Sequence, residues 1–178
     1  KAAQLAPTGV NFQPFKVIVI DTKKYKEELK GIYSPDWFTQ APIVLCVVAS
    51  KEKAWTRKYD DKNIADIDAT IVMTHMILAA EDLGLNTCFI AAFKPDKARE
   101  FLALDDEWEP VLFTPLGYGN AEPRDTPRKA IEELEARFAK DHEEWVEKNP
   151  MPIAVDTPVV TKDDPIEDDK DKKKKVLK

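Results

Sequence analysis

The broadest apolar stretch of the chain lies at its centre, in residues 64–93. Within residues 64–83 the apolar side chains spread around a helix instead of following one stripe, which predicts a helix buried on most faces. Gly84 and the following Leu85 form the pattern of a helix stop. Residues 86–93 are rich in threonine, cysteine, phenylalanine and isoleucine, a composition typical of a strand. The pattern therefore predicts an α/β core in which a buried helix leads into a buried strand.

Three further apolar runs predict strands, at residues 15–20, 42–49 and 110–118. The run at residues 42–49 has no polar position, as expected for a strand in a sheet that is covered on both faces. Pro115 indicates that the last strand is irregular or lies at an edge of the sheet.

Capping residues and prolines predict the remaining helices. Residues 1–5 have the composition of a helix end, so we expect that the natural gene product begins earlier or has been altered. Asp21 or Thr22 is expected to cap a short helix that ends near Gly31. Pro95 suits the first position of a helix over residues 95–102. In the same way, Thr126 and Pro127 predict the start of a helix that runs to about residue 148.

The composition changes near the end of the chain. With 178 residues, the chain is long enough for one domain with a sizeable core, which we assign to residues 1–149. Prolines then interrupt a weakly apolar segment, and the final 16 residues or so, from residue 163, are a mixed-charge run. We therefore expect residues 150–178 to form an extended arm and a charged, disordered tail.

The net charge and the positions of the cysteines narrow the partners and the cellular location that we expect. The net charge of −6 argues against binding to nucleic acid, which needs a basic face. No apolar run approaches the ~20 residues that span a bilayer, and no secretory signal is visible. Cys46 and Cys88 lie in apolar runs, which favours buried, reduced thiols over a disulfide. We expect a cytoplasmic protein with neither a nucleic-acid nor a membrane partner.

Reactive side chains are scarce. Neither serine lies in a Gly-x-Ser-x-Gly elbow, which makes a serine hydrolase improbable. Two cysteines without a CxxC spacing and two scattered histidines predict no zinc site, and no Walker A loop is present. Either the protein is not an enzyme, or a cofactor supplies the chemistry.

Five segments, which follow one another along the chain in the family's order, resemble motifs of the nitroreductase family. Residues 6–14 (APTGVNFQP) are similar to its proline–Ser/Thr–x–x–Asn–x–Gln–Pro loop, and residues 68–93 look like its central helix and the following flavin-side strand. The other three segments are KAWTR at residues 53–57, LGY at residues 116–118 and RKAIEEL at residues 128–134.

The resemblance implies an α+β, nitroreductase-like fold, with a central, mostly antiparallel sheet flanked by helices. It implies a homodimer that binds FMN in the cleft between its subunits. Family members take hydride from NADH or NADPH and pass it to nitroaromatics, quinones or related small electrophiles. Since the flavin N5 carries the hydride, the resemblance implies an enzyme with no catalytic side chain and no metal.

The same resemblance places four loop residues at the flavin, often that of the neighbouring subunit: Pro7, Thr8, Asn11 and Gln13. Asn11 can hydrogen-bond the polar edge of the flavin, and Gln13 assists it or braces the loop. Taken alone, the loop has an ordinary turn as its alternative interpretation.

Ile90, Ala91 and Ala92 match the end of the strand beside the flavin ring. Small alanine side chains let the backbone approach the ring, and a backbone N–H there can donate to N5. Plain core packing of the two alanines is the alternative.

Two pairs of residues complete the expected site. Arg128 and Lys129 match a late basic pair at the FMN phosphate, which suits an arginine fork. Their alternative is an ordinary first helical turn, although cations there oppose the helix dipole. Trp55 and Arg57 either line the substrate entrance or belong to a solvated loop.

The family normally opens with a helix that carries an arginine-rich element for the FMN phosphate. The printed sequence holds no counterpart before Lys1, which predicts weaker retention of FMN if no such element exists. The alternative function is therefore a non-catalytic or flavin-poor member of the same fold that acts as a binding or assembly protein.

Overall fold

Each apolar run that predicts a strand contributes to one sheet. The computed structural model describes residues 1–120 and 125–134, which belong to two units, Lys1–Arg124 and Asp125–Lys178. The strands of the first unit are β1 (Phe15–Asp21), β2 (Ile43–Ala49), β3 (Asn86–Thr87) and β4 (Glu109–Gly117). Its helices are α1 (Ala2–Leu5), α2 (Lys26–Ile32), α3 (Ala65–Asp82) and α4 (Pro95–Leu102), with 3₁₀ turns at Gly9–Asn11 and Asp36–Thr39.

The strands are antiparallel and lie in the order β1-β2-β4-β3. β2 is therefore an inner strand, hydrogen-bonded to β1 on one side and to β4 on the other. The sheet with its flanking helices confirms the predicted α+β class and the mostly antiparallel sheet.

Alternate residues of the strands face two separate apolar clusters. On one face, Val44, Cys46 and Val48 of β2 pack with buried residues of α2 and α4. On the other face, Val47 and Ala49 pack with buried residues of α3. Helices thus cover both faces of the sheet, which explains why β2 has no polar position.

The helix expected directly after β1 begins later than predicted. α2 starts at Lys26, and no side chain caps it. The Asp21 carboxylate instead accepts a hydrogen bond from the Lys23 N–H at 2.9 Å. Asp21 therefore stabilises a turn between β1 and α2, a use of aspartate that competes with helix capping.

The central helix is buried on one side only, which corrects the prediction of burial on most faces. Ala65, Ala69, Val72 and Met73 of α3 are fully buried against the sheet. On the outward side, Ile67 is 44% exposed and Leu78 is 63% exposed. Together with Ile71 and Thr74 they form one stripe at helical spacing, which we call the outer stripe of α3.

The helix stop at Gly84 is confirmed. Gly84 has a φ of 70°. The Leu85 N–H donates to the Ala80 carbonyl at 2.9 Å, and the Gly84 N–H donates to the Glu81 carbonyl at 2.9 Å. These two bonds form a Schellman motif, which satisfies carbonyls that the helix end leaves unpaired.

We expect Gly84→Ala to lower the free energy of unfolding by about 1 kcal/mol, because an alanine is strained at this positive φ. A Cβ at Gly84 meets no atom within 4 Å, so the backbone conformation is the main source of the loss. Gly31→Ala is the matched control, since Gly31 lies in α2 and its Cβ also meets no atom within 4 Å. That control is expected to raise stability by about 0.5–1 kcal/mol. Urea unfolding measures both, and equal effects of one sign would contradict this account.

The strand predicted over residues 86–93 is mostly absent. Only Asn86 and Thr87 form β3, and beyond them a single bridge joins Ile90 to Phe113 of β4. Cys88, expected to be buried, is exposed. Cys46 is buried as expected.

The interruption lies opposite Pro115, which lacks an N–H. In the register that pairs Thr87 with Leu116, Pro115 faces Cys88. The Cys88 N–H donates to the Thr114 hydroxyl at 3.1 Å, and that hydroxyl donates to the Pro115 carbonyl at 3.0 Å. The Thr114 hydroxyl thus stands between the Cys88 N–H and the Pro115 carbonyl, which would bond directly in a regular ladder, and pairing resumes only at the bridge between Ile90 and Phe113. The irregularity predicted at Pro115 is found in the pairing with β3, whereas β4 itself runs unbroken through Pro115 as an inner strand, so the alternative of an edge strand is wrong.

The second unit contains α5 (Ile131–Leu134) in its described part. Thr126 and Pro127 lie in a non-helical segment before it, so the predicted start of this helix is wrong. The helix begins where the Glu133 carboxylate accepts the Ala130 N–H at 3.2 Å, as in half of a capping box. Residues 135–178 lie outside the described residues, so the extent of the helix and the boundary at residue 150 stay predictions. No helix in the described part of the chain combines the length and apolar composition that a membrane crossing requires.

Candidate functional site

The loop before β1 has an unusual backbone. Val10, Asn11 and Gln13 have φ values of 43°, 59° and 52°. Such conformations cost free energy for side chains other than glycine and persist only where surrounding contacts fix them. One such contact joins the Gln13 N–H to the Thr8 hydroxyl oxygen at 3.0 Å. The loop therefore has a defined backbone held by its own contacts, and its role at a flavin stays a prediction.

The loop presents polar groups at its surface. Pro7, Asn11 and Gln13 are exposed, and Thr8 is half-buried. The Gln13 side-chain amide donates to the Asn11 side-chain carbonyl at 3.2 Å. Gln13 thus orients the Asn11 amide, which keeps further donor and acceptor capacity for a ligand.

A buried carboxylate holds the loop against α3. The Gly9 N–H donates to Asp68 Oδ1 at 2.9 Å, and Asp68 is 1% exposed. Burial raises the pKa of Asp68, and the bond from Gly9 opposes that rise. Sequence reasoning missed Asp68, although a signal was present: an aspartate stands within the buried series Ala65, Ala69 and Val72.

Gly9 is also required by close packing. A Cβ at Gly9 would collide with Ile64 and would lie 3.1 Å from the Cβ of Trp55. Trp55 is half-buried there, and its carbonyl accepts the Ile64 N–H at 3.2 Å. The structure therefore brings Trp55 against Gly9 of the loop, and its role at a substrate entrance stays a prediction.

Arg57 is placed differently. It is exposed, and its Nε donates to Asp60 Oδ1 at 2.6 Å, with a second contact between the guanidinium and Asp60 Oδ2. This ion pair lowers the pKa of Asp60 and raises that of Arg57. Arg57 thus forms a local surface pair, and contact with a substrate would require it to rearrange or to use its remaining donors.

The segment after β3 ends in two open positions. Ile90 is 3% exposed and exchanges two backbone hydrogen bonds with Phe113, each 3.0 Å long. Ala91 and Ala92 are exposed, so plain core packing is the wrong interpretation for both. Within the described residues, their N–H groups donate to no acceptor. Small side chains and free N–H groups let a planar ligand approach the backbone here.

The two halves of the expected site lie on different faces of the sheet within one chain. Ala6, next to the loop, packs in the cluster on the α3 side, whereas Ile90 packs in the cluster on the α2 and α4 side. Arg128 and Lys129 are exposed and belong to the second unit, where they precede α5. The structure of one chain therefore assembles the loop with Trp55 and Asp68, and places Ala91 and Ala92 elsewhere.

Comparisons with known proteins agree on one family. The model of the nitroreductase family matches residues 29–118. A nitroreductase family protein of known structure from Clostridium difficile is 35% identical, with 76% of this chain and 80% of that chain covered and a TM-score of 0.70. A nitroreductase family protein from Clostridium novyi is 32% identical, with 66% of this chain and 69% of that chain covered and a TM-score of 0.59.

A curated relative is also similar. The FMN reductase (NAD(P)H) of Bacillus subtilis is 27% identical over 161 residues, which cover 79% of this chain. The match spans 64% of the length of that relative, so the relative has a considerable part without a counterpart in the match.

Proposed function

Because the chain belongs to the nitroreductase family, we propose that it is an FMN-dependent oxidoreductase. It takes hydride from NADH or NADPH and passes it to a small electrophile such as a nitroaromatic compound or a quinone. When bound, FMN supplies the hydride-carrying N5 atom, which explains how a chain with so few reactive side chains serves as an enzyme.

The open backbone at Ala91 and Ala92 is the observation that carries this proposal. A flavin ring needs a flat approach to the backbone and a donor for N5. The two exposed alanines leave that approach free, and their N–H groups have no acceptor among the described residues. The two backbone hydrogen bonds between the buried residues Ile90 and Phe113 hold the chain in place directly before these donors. The residues of the chain therefore fit an isoalloxazine.

The loop supports the same proposal from a second copy of the chain. Asn11 and Gln13 offer amides to the polar edge of the flavin, but their loop lies on the α3 side of the sheet. A homodimer would bring the loop of one subunit to the Ala91 and Ala92 backbone of the other. The outer stripe of α3 offers an apolar surface for that contact, since Ile67 and Leu78 are 44% and 63% exposed.

The remaining predicted residues receive supporting roles. Arg128 and Lys129 are exposed cations before α5, and their charge suits a dianionic phosphate. Trp55, packed beside the loop, lines the entrance for the electron acceptor. Arg57 borders that entrance while paired with Asp60.

FMN binding tests the proposed function directly. We expect the purified protein to be yellow or to quench the fluorescence of added FMN on binding. NADH or NADPH added without oxygen is then expected to bleach the flavin absorbance near 450 nm, because hydride transfer reduces the ring. A nitroaromatic compound or a quinone should restore the absorbance. Free FMN without protein is the control.

A colourless protein that leaves FMN fluorescence unchanged would contradict the proposal. That result would favour the alternative, a binding or assembly protein built on the same fold.

A further inference from the structure

Asp68 is a charged residue in an apolar setting. It is 1% exposed on α3, between the buried residues Ala65, Ala69 and Val72. A carboxylate in such a place costs free energy unless donors satisfy it. Among the described residues its Oδ2 atom accepts no hydrogen bond, and Oδ1 accepts one, from the Gly9 N–H at 2.9 Å.

This one hydrogen bond joins α3 to the loop directly before the loop residues that have a positive φ. Gly9 directly precedes Val10 and Asn11, both of which have a positive φ. A hydrogen bond to a charged acceptor is comparable in strength to the cost of one such backbone conformation. Asp68 also lies in the first turn of α3, where the helix dipole favours a negative charge.

Two neighbouring side chains restrict the positions in which the Gly9 N–H could find another acceptor. Ile64 and Trp55 close the space around Gly9, so the loop cannot shift toward the helix to find another acceptor. Without Asp68 the Gly9 N–H would be left in a half-buried position without a partner. The loop would then exchange among conformations in which Asn11 and Gln13 point differently.

We propose that Asp68 is a positioning residue for the cofactor: through the Gly9 N–H it holds the Asn11 and Gln13 amides in the arrangement that receives FMN. This inference rests on the proposed function. Asp68 does not touch the flavin in this account, and its effect reaches the cofactor only through the loop.

Three variants test the proposal through the dissociation constant for FMN, measured by fluorescence titration. Asp68→Ala removes the acceptor and is expected to weaken FMN binding about tenfold to hundredfold, the range for a lost bond to a charged group. Asp68→Asn keeps an oxygen that can accept the Gly9 N–H, so its change is expected to stay within about threefold. Asp66→Asn is the matched control, an exposed aspartate in the same turn, and is expected to leave binding unchanged.

A fourth variant separates positioning from general stability. Gly84→Ala strains the C-terminal end of α3, which belongs to neither half of the proposed site. We expect it to lower the melting temperature of the FMN-free protein while leaving FMN affinity near the wild-type value. If Gly84→Ala weakens FMN binding as much as Asp68→Ala, or if Asp68→Asn fails to restore it, the proposal is overturned.

Amide hydrogen exchange of the wild-type protein tests the same hydrogen bond without a variant, so it can be used even if Asp68→Ala does not fold. The Gly9 N–H is expected to exchange at least tenfold more slowly than an unstructured amide, because it is bonded to Asp68. Exchange at the rate of an unstructured amide would show that the hydrogen bond from Gly9 to Asp68 does not hold the loop, and would overturn the proposal. A wild-type protein that ignores FMN overturns the proposed function, whereas tight FMN binding by both wild type and Asp68→Ala overturns this inference alone.

Discussion

Replacement of Phe113 by alanine is expected to lower the free energy of unfolding by about 3–5 kcal/mol. Phe113 is 0% exposed at the centre of β4. Its ring meets Phe93 edge-on at a centroid distance of 4.8 Å and Phe38 at 6.4 Å. An alanine would leave a cavity beside these rings.

Phe89→Ala is the matched control for this prediction. Phe89 is also a phenylalanine beside β4, but it is 47% exposed, so its truncation is expected to cost less than about 1 kcal/mol. Urea unfolding followed by circular dichroism measures both variants. A Phe113→Ala protein within about 0.5 kcal/mol of the wild type would show that this cluster is not the core of the domain.

The second large effect is expected at Ala92. Ala92→Trp should weaken FMN binding by about a hundredfold, because a clash worth about 3 kcal/mol changes a dissociation constant by that factor. The position is exposed, so the melting temperature of the FMN-free protein should change little. Fluorescence titration with FMN gives the affinity, and differential scanning calorimetry gives the stability.

Glu28→Trp serves as the control for added bulk, because Glu28 is exposed on α2. It should leave FMN affinity unchanged. An Ala92→Trp protein that binds FMN as tightly as the wild type would remove the open backbone from the proposed site, and would leave the loop as its remaining part.

Much of the fold follows from local patterns in the sequence. The apolar runs locate β1, β2 and β4, and Gly84 ends α3 as its glycine predicts. These features depend on short-range physics: the period of side chains along an element, and the positive φ that glycine permits. For the same reason Pro95 begins α4 where predicted.

The predictions from the sequence fail mainly where a residue distant in the chain determines the local structure. The strand after α3 stops because Pro115, more than 20 residues further on, cannot donate to its ladder. The burial of α3 was overestimated because apolar positions alone do not distinguish an internal face from a face that another molecule can cover. The helix after Thr126 is a local failure instead, since Glu133 caps it at Ala130, later than Thr126 and Pro127 predict.

The candidate site shows the same division. The resemblance identified the loop and the open strand end, both of which the structure presents as accessible polar or small residues. It did not identify Asp68, whose role depends on a bond to a residue 59 positions away. It did associate the loop with the flavin of a neighbouring subunit, and the packing of Ala6 and Ile90 adds that the two halves lie on opposite faces of the sheet within one chain.

The interruption opposite Pro115 also bears on the behaviour of the protein in concentrated solution. A long, regular edge strand offers a row of unpaired backbone groups on which another chain can polymerise. β3 provides only two residues before its regular pairing with β4 ends. This border of the sheet is therefore a poor template for amyloid growth, and replacement of Pro115 by a β-branched residue would remove that protection.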